Sequence, residues 1–263
     1  MQHDRVIPKK SLGQHWLHDE ASLQAMIDAG TVSSKDTIVE IGPGLGTLTK
    51  YLVRTAKQVV AVEYDTVLAK QLPGRIAADN LEVVEADCLT FDYTRMPAGY
   101  KVIANIPYYL TSNLLRVLSE LANPPAVIVL LIQKEVAERV AAVPGDMSLL
   151  SVSVQLYYSA SLKRVVPAEL FTPPPKVDSQ IIQLVRRPQP LFTDLDYKQF
   201  FRIVKAGFSQ RRKKLRSSLS AGLHMPKPEI TRLLEAAGVS ADVRPQELNL
   251  VQWYRIYEVL SDI

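Results

Sequence analysis

Cysteine occurs once in the 263 residues, as Cys88. That scarcity excludes an internal disulfide and any cysteine-built metal cluster, and it fits a reducing compartment. Long apolar runs are missing too. The longest, residues 126–132, is far too short to cross a bilayer and reads as a central strand. Residues 1–10 lack the apolar core of a secretory leader, so a cytoplasmic protein without membrane partners is expected. No internal repeat or low-complexity tract is present, and no histidine, cysteine and carboxylate grouping suggests a metal. What is there is ordinary globular material, 47% hydrophobic and 22% charged. The length suits one large domain with a smaller appendage.

Charge is unevenly spread. The net of +4 divides into −2 over residues 1–178 and +6 from Ser179 onward. The basic excess is therefore C-terminal, as expected of a part that faces a polyanion.

Apolar runs at 37–41, 58–63, 81–87, 101–105 and 126–133 read as strands, and segments 47–55, 64–72 and 112–122 between them have helical spacing. That alternation predicts a doubly wound α/β fold with a mostly parallel sheet. Two later β-rich runs, 151–162 and 180–185, flank the proline-rich loop 166–175 and could add an antiparallel edge strand. Past residue 188 the pattern turns helical (196–219, 227–237 and 245–260), which predicts a small helical domain over 189–263 after a first domain over 1–188.

The strand 101–105 ends in Asn105-Ile106-Pro107-Tyr108. An exocyclic amino group on a base is a poor nucleophile because its lone pair is delocalised into the ring. An amide oxygen and an adjacent main-chain carbonyl can accept its two N–H bonds and favour a tetrahedral nitrogen. A tyrosine can stack on the base and hold that nitrogen in line, while Pro107 fixes the turn and donates no ladder bond. Taken alone, the tetrapeptide fits a plain strand-to-loop turn equally well.

Upstream, Glu40-Ile-Gly42-Pro-Gly44-Leu-Gly46 joins the first predicted strand to a helix. Glycines there let the backbone approach a nucleoside, and the helix start favours an anion. A dinucleotide fingerprint needs glycine at position 47, where this chain has Thr47, so a nicotinamide enzyme is disfavoured. The spacing with an acid two residues ahead is that of S-adenosylmethionine-dependent methyltransferases. Glu63, 21 residues after Gly42, ends the second strand, where a carboxylate can take both ribose hydroxyls. Asp87 ends the third, where it can accept from the cofactor's adenine amino group. Ligands bind along that edge of an open parallel sheet. Cys88 reads as pocket wall rather than nucleophile.

With these motifs in place, the chain resembles the small-subunit ribosomal RNA adenine N6,N6-dimethyltransferases nearly end to end. Lys10-Ser-Leu-Gly-Gln-His-Trp-Leu17 looks like the family's segment that covers the cofactor, with His15 where many members have asparagine and Trp16 where phenylalanine is usual. Phe171-Thr-Pro-Pro-Pro-Lys-Val-Asp-Ser179 and Phe208-Ser-Gln-Arg-Arg-Lys-Lys-Leu215 match its proline loop and its basic helix. The resemblance implies a class I methyltransferase fold with a seven-stranded sheet. It puts His15, Leu17, Gly42, Gly44, Glu63, Asp87 and Asn105 on S-adenosylmethionine, and Asn105, the Ile106 carbonyl, Pro107, Tyr108 and Phe171 around the target adenine. It implies a monomer that dimethylates two adjacent adenosines near the 3′ end of small-subunit RNA within an assembling subunit.

The run from Arg202 to Arg216 holds seven cations, among them Arg211, Arg212, Lys213 and Lys214, and no acid. A solvated basic face is the plain reading. In a chain with a base-modifying site, phosphate contacts are the favoured one. Three other functions stay in view: a large-subunit adenine methyltransferase of the macrolide-resistance type, a DNA adenine methyltransferase, and a non-catalytic assembly factor. Against the DNA enzymes stands the absence of Asp-Pro-Pro-Tyr and of a target-recognition insert.

Overall fold

The computed structural model describes residues 12–210 and 212–261. The chain divides into two compact units, one of residues 1–138 and 158–186, the other of 139–157 and 187–263.

The first unit is built on a seven-stranded sheet. Its strands are β2 (Thr37–Ile41), β3 (Gln58–Glu63), β4 (Leu81–Glu85), β5 (Lys101–Asn105), β6 (Val127–Gln133), β7 (Tyr158–Val166) and β9 (Ser179–Arg186), in the order β4-β3-β2-β5-β6-β9-β7. A separate two-residue pairing joins β1 (Trp16–Leu17) to β8 (Phe171–Thr172). Pairs β4-β3, β3-β2, β2-β5 and β5-β6 are parallel. Ile38, Val39, Val102, Ile103 and Ile128 to Ile132 are buried. Strands buried on both faces need continuous aliphatic runs rather than alternation, which is what these positions supply. Helices α1 (Glu20–Ala29), α2 (Thr49–Thr55), α3 (Thr66–Arg75) and α4 (Thr111–Glu120) belong to this unit, and α5 (Lys134–Val140) follows β6. The strand order reverses between β2 and β5, so the switch-point crevice opens at their carboxyl ends.

The late hairpin supplies an edge strand as expected, β7, antiparallel to its neighbour, although β9 itself is not at the edge: it pairs with β6 on one side and β7 on the other. Ile181, Ile182 and Leu184 are buried, whereas residues 162–165 of β7 are exposed, so the more apolar strand takes the interior. The run 151–162 is not one strand either. Its first half forms helix α6 (Leu149–Gln155), started by a reciprocal capping box between Ser148 and Ser151. Val favours strand locally, but Val152 and Leu156 are buried in the second unit's core, and the cap plus that burial override propensity. Residues 139–157, placed within the first domain by the sequence pattern, thus pack with the helical unit.

That unit holds α6, α7 (Tyr197–Phe208), α8 (Leu215–Leu223), α9 (Lys227–Ala236) and α10 (Leu250–Ser261) around Trp253, Phe200, Leu219 and Leu234. The expected helix over 196–219 is broken. Ser209 Oγ donates to the Ala206 carbonyl at 2.7 Å, Lys213 N–H closes a turn on the Gln210 carbonyl at 2.9 Å, and α8 begins only at Leu215. No helix among the described residues is long and apolar enough to cross a membrane.

Candidate active site

A cavity of about 470 Å³ lies within the first unit at the carboxyl ends of β2, β3 and β5, a size that suits a nucleoside-bearing ligand. Its floor at the first turn is backbone. Gly42 has φ +66°, with nothing within 4 Å of where a Cβ would stand, so open space meets the main chain there. At Gly44 a Cβ would come 3.3 Å from Trp16 Nε1, so the Trp16 indole roofs the turn.

Carboxylates line the same wall. Glu63 Oε2 accepts the Gly44 N–H at 3.0 Å and Oε1 accepts the Asp65 N–H at 2.8 Å, which fixes the side chain at the end of β3. Burial raises its carboxyl above the ordinary range, and those two N–H groups partly offset the rise. Each oxygen keeps a further lone pair for a hydroxyl donor. Asp87 lines the cavity past the end of β4 and caps a turn through Leu89 N–H at 2.8 Å.

Glu40 is buried to 1% exposure, and its Oε2 has no hydrogen-bond partner. Its carboxyl is pushed up to about 8, first by burial, with the Thr49 side chain opposing and the Glu63 carboxylate adding to the rise. The folded chain therefore holds a proton that the unfolded chain releases near its ordinary 4.5. Between those two values the native state binds more protons, so stability falls as pH rises. Glu40→Gln is expected to flatten that fall, measured as melting temperature across pH 5–8; a slope equal to that of the unaltered chain would exclude Glu40 as its source. Glu63, raised in the same direction, leaves a residual slope.

Cys88 is also buried in the wall, its thiol pushed up to about 11 by burial and then by Asp87. It is expected to resist alkylation in the native protein at neutral pH and to react only on unfolding. Rapid labelling of folded protein would contradict this.

The tip of β5 faces the same space. Asn105 Nδ2 donates to the His15 carbonyl at 3.2 Å. Tyr108 sits on a 3₁₀ turn, its hydroxyl 2.7 Å from Ser179 Oγ, and burial keeps the phenol protonated. Phe171, 3% exposed, closes the wall from β8. His15 Nδ1 lies 2.7 Å from the Pro173 carbonyl, and its ring stacks on Tyr108 with centroids 6.0 Å apart.

Of the residues singled out from sequence, His15, Gly42, Gly44, Glu63, Asp87, Asn105, Pro107, Tyr108 and Phe171 line one cavity. Leu17 does not. It is 0% exposed and pairs across to Phe171 in the core, because alternation along β1 turns it inward. Tyr64 and Tyr109 stand exposed at the rim, and neither was anticipated; the doubled tyrosine at 108–109 was the available signal. Ser179, the partner of Tyr108, ends the Val-Asp-Ser motif.

In the second unit, Arg212, Lys213 and Lys214 are exposed on the turn between α7 and α8 rather than on a helix, while Arg211 lies outside the described residues. Lys214 pairs with Asp242 at 3.1 Å, as does Arg216 at 2.9 Å.

Residues 7–262 match the model of the family described as ribosomal RNA adenine dimethylase. The chain is 38% identical over 252 residues to the ribosomal RNA small subunit methyltransferase A of Dehalococcoides mccartyi (strain CBDB1), covering 94% of this chain and 87% of that protein. It is 37% identical over 266 residues to the protein of the same name from Streptococcus pneumoniae serotype 2 (strain D39), covering 96% and 92%. A dimethyladenosine transferase from Plasmodium falciparum superposes with a TM-score of 0.79 at 26% identity, over 92% of this chain and 96% of that one. The 23S rRNA methyltransferase ErmE superposes with a TM-score of 0.75 at 28% identity, over 94% and 99%. The sheet order with its single antiparallel strand is the class I methyltransferase fold. Matched over nearly its whole length and at well above a third identity to small-subunit enzymes, the chain belongs to the ribosomal RNA adenine dimethylase family.

Proposed function

We propose that this protein transfers methyl groups from S-adenosylmethionine to the N6 amino groups of two adjacent adenosines in the 3′-terminal hairpin loop of small-subunit ribosomal RNA, acting as a cytoplasmic monomer on an assembling subunit. The observation that carries this reading is the tip of β5, where Asn105 and Tyr108 face the same cavity as Glu63 and Asp87.

The residues present fit the methyl donor. Gly42 leaves room at its Cα for a nucleoside, Glu63 offers acceptors to ribose hydroxyls, and Asp87 offers one to an adenine amino group. Glu40, held protonated by burial, lines the same cavity with an Oε2 that has no hydrogen-bond partner among the described residues. When bound, S-adenosylmethionine supplies an electrophilic methyl group and leaves as S-adenosylhomocysteine. The chain's own part is orientation. Tyr108 and Phe171 offer ring faces to an unstacked adenine, each worth about 1–3 kcal/mol. Asn105 Oδ1 and the Ile106 carbonyl accept the two N–H bonds of N6, which favours a tetrahedral nitrogen and takes its lone pair out of conjugation with the ring. With S-adenosylmethionine held by Gly42, Glu63 and Asp87, N6 so oriented would give that pair to the methyl carbon while the carbon–sulfur pair returned to sulfur. Alkylated nitrogen is acidic and loses its proton to water, so no strong base has to stand at the site.

Arg212 and Lys213 supply phosphate contacts that position the RNA without specifying it. Removing both is expected to reduce the slope of log affinity against log salt by about 0.7–0.9 per lost contact. An unchanged slope would remove them from the interface.

The deciding experiment is methyl transfer from tritiated S-adenosylmethionine to small subunits lacking adenine methylation, with digestion to nucleosides. Dimethyladenosine in small-subunit RNA alone supports the proposal. Label only in large-subunit RNA, run in parallel, would move the protein to the large-subunit adenine methyltransferases. Subunit maturation without any transfer would make it an assembly factor.

A further inference from the structure

Asn105 can face a substrate in two senses, and only one suits an amino group. With Oδ1 outward it accepts an N–H; with Nδ2 outward it aims donors at donors. A rotation of 180° about the last side-chain bond separates the two, and sterically they are nearly equivalent. Something must choose between them.

The Nδ2–H bond to the His15 carbonyl makes that choice. A carbonyl only accepts, so the NH2 group is held at His15 and Oδ1 is left for the cavity. The carbonyl is itself held in place. The His15 ring lies 2.7 Å through Nδ1 from the Pro173 carbonyl, another pure acceptor, so Nδ1 carries the proton. The ring rests on Tyr108, with planes 20° apart. Immediately beyond, Trp16 and Leu17 pair with Thr172 and Phe171. One residue thus ties the N-terminal segment to both the Asn105–Tyr108 turn and the proline loop.

We infer that His15 is a positioning residue for methyl transfer: its side-chain bond to Pro173 holds its own main-chain carbonyl against Asn105 and so fixes the sense in which the amide meets the target amino group. This rests on the reading of Asn105 as the acceptor for N6. It differs from a cofactor-contact role for His15, which would act on cofactor affinity and be indifferent to Asn105.

The test is a double-mutant cycle with His15→Phe and Asn105→Ala, read by single-turnover methyl transfer to unmethylated small subunits and by S-adenosylmethionine binding. Phenylalanine keeps a ring against Tyr108 and removes both ring nitrogens, and with Nδ1 the N–H to Pro173. We expect His15→Phe to slow transfer by up to about 100-fold, with cofactor affinity little changed. In the Asn105→Ala background the same substitution should cost almost nothing further, because the amide it orients is gone. His15→Gln, which restores an N–H within reach of a carbonyl, should recover part of the rate. Should His15→Phe fail to fold, His15→Ala carries the same cycle. Equal losses in both backgrounds, or a loss confined to cofactor binding, would overturn the inference. No transfer by the unaltered protein would instead defeat the parent reading.

Discussion

Asn105→Ala should lose on the order of 10²–10³ in the methyl-transfer rate, the scale seen when one pre-aligned hydrogen-bonding group is removed from a reacting centre. Asn105 stands at the last position of β5, held through Nδ2 by the His15 carbonyl. The substitution removes the Asn105 Oδ1 acceptor from that strand tip and, on the proposed reading, leaves the main-chain carbonyl of Ile106 alone with two N–H bonds. The amino group then stays closer to planar, with its lone pair still shared with the ring. Glu63 and the glycine turn are untouched, so S-adenosylmethionine should still bind. The loss should therefore fall on the rate of the chemical step rather than on cofactor affinity. Single-turnover transfer and equilibrium dialysis separate the two. A variant that transfers at more than about a tenth of the original rate would show that the backbone carbonyl and stacking suffice.

The second large effect concerns stability. Trp253→Ala should destabilise the helical unit by about 3–5 kcal/mol. Trp253 is fully buried, with Phe208 5.4 Å away between ring centroids and Gly207 directly beneath it. For a unit of roughly a hundred residues, such a loss lowers the melting temperature by more than about 10 °C. Hydrogen exchange should place the effect in α7 and α10. The neighbouring glycine gives an internal control. A Cβ on Gly207 would lie 2.4 Å from Trp253 Cη2, so Gly207→Ala alone should also cost about 1–3 kcal/mol. In the double variant the added methyl enters the space the indole vacated, and the combined loss should fall short of the sum. Strict additivity would mean that the two side chains do not compete for the same volume.

Much of this architecture was legible because buried parallel strands leave an uninterrupted aliphatic signature. Residues 37–41, 58–63 and 101–105 were placed to the residue, and the acids and glycines at their ends converge on one cavity. The misreadings share a cause. Val152 looks like a strand residue, and only a core made by distant helices shows why it is helical. The break between α7 and α8 depends on the Ser209 hydroxyl donating to the Ala206 carbonyl, and on the Gln210 carbonyl accepting from Lys213 N–H and Ser218 Oγ, rather than on any proline or glycine. The site's cross-links were the least legible part. His15 with Pro173 and Tyr108 with Ser179 are 158 and 71 positions apart in sequence, and periodicity carries no information about such pairs.

The interior place of β9 has a bearing on how the chain matures. Synthesis proceeds from the N-terminus at about 5–20 residues per second, and β6 ends at residue 133 whereas β9 begins only at residue 179. Until residues 179–186 arrive, β6 has no neighbour on one side and β7 has none at all within the sheet. The nascent enzyme therefore passes through a period with an open, strongly aliphatic edge at Ile128 to Ile132, the kind of edge that invites mispairing. The same late strand begins with Ser179, on which the Tyr108 hydroxyl rests. Closing the sheet and seating the Tyr108 hydroxyl are thus one event, and a ribosome-bound chain stalled before residue 179 would have neither.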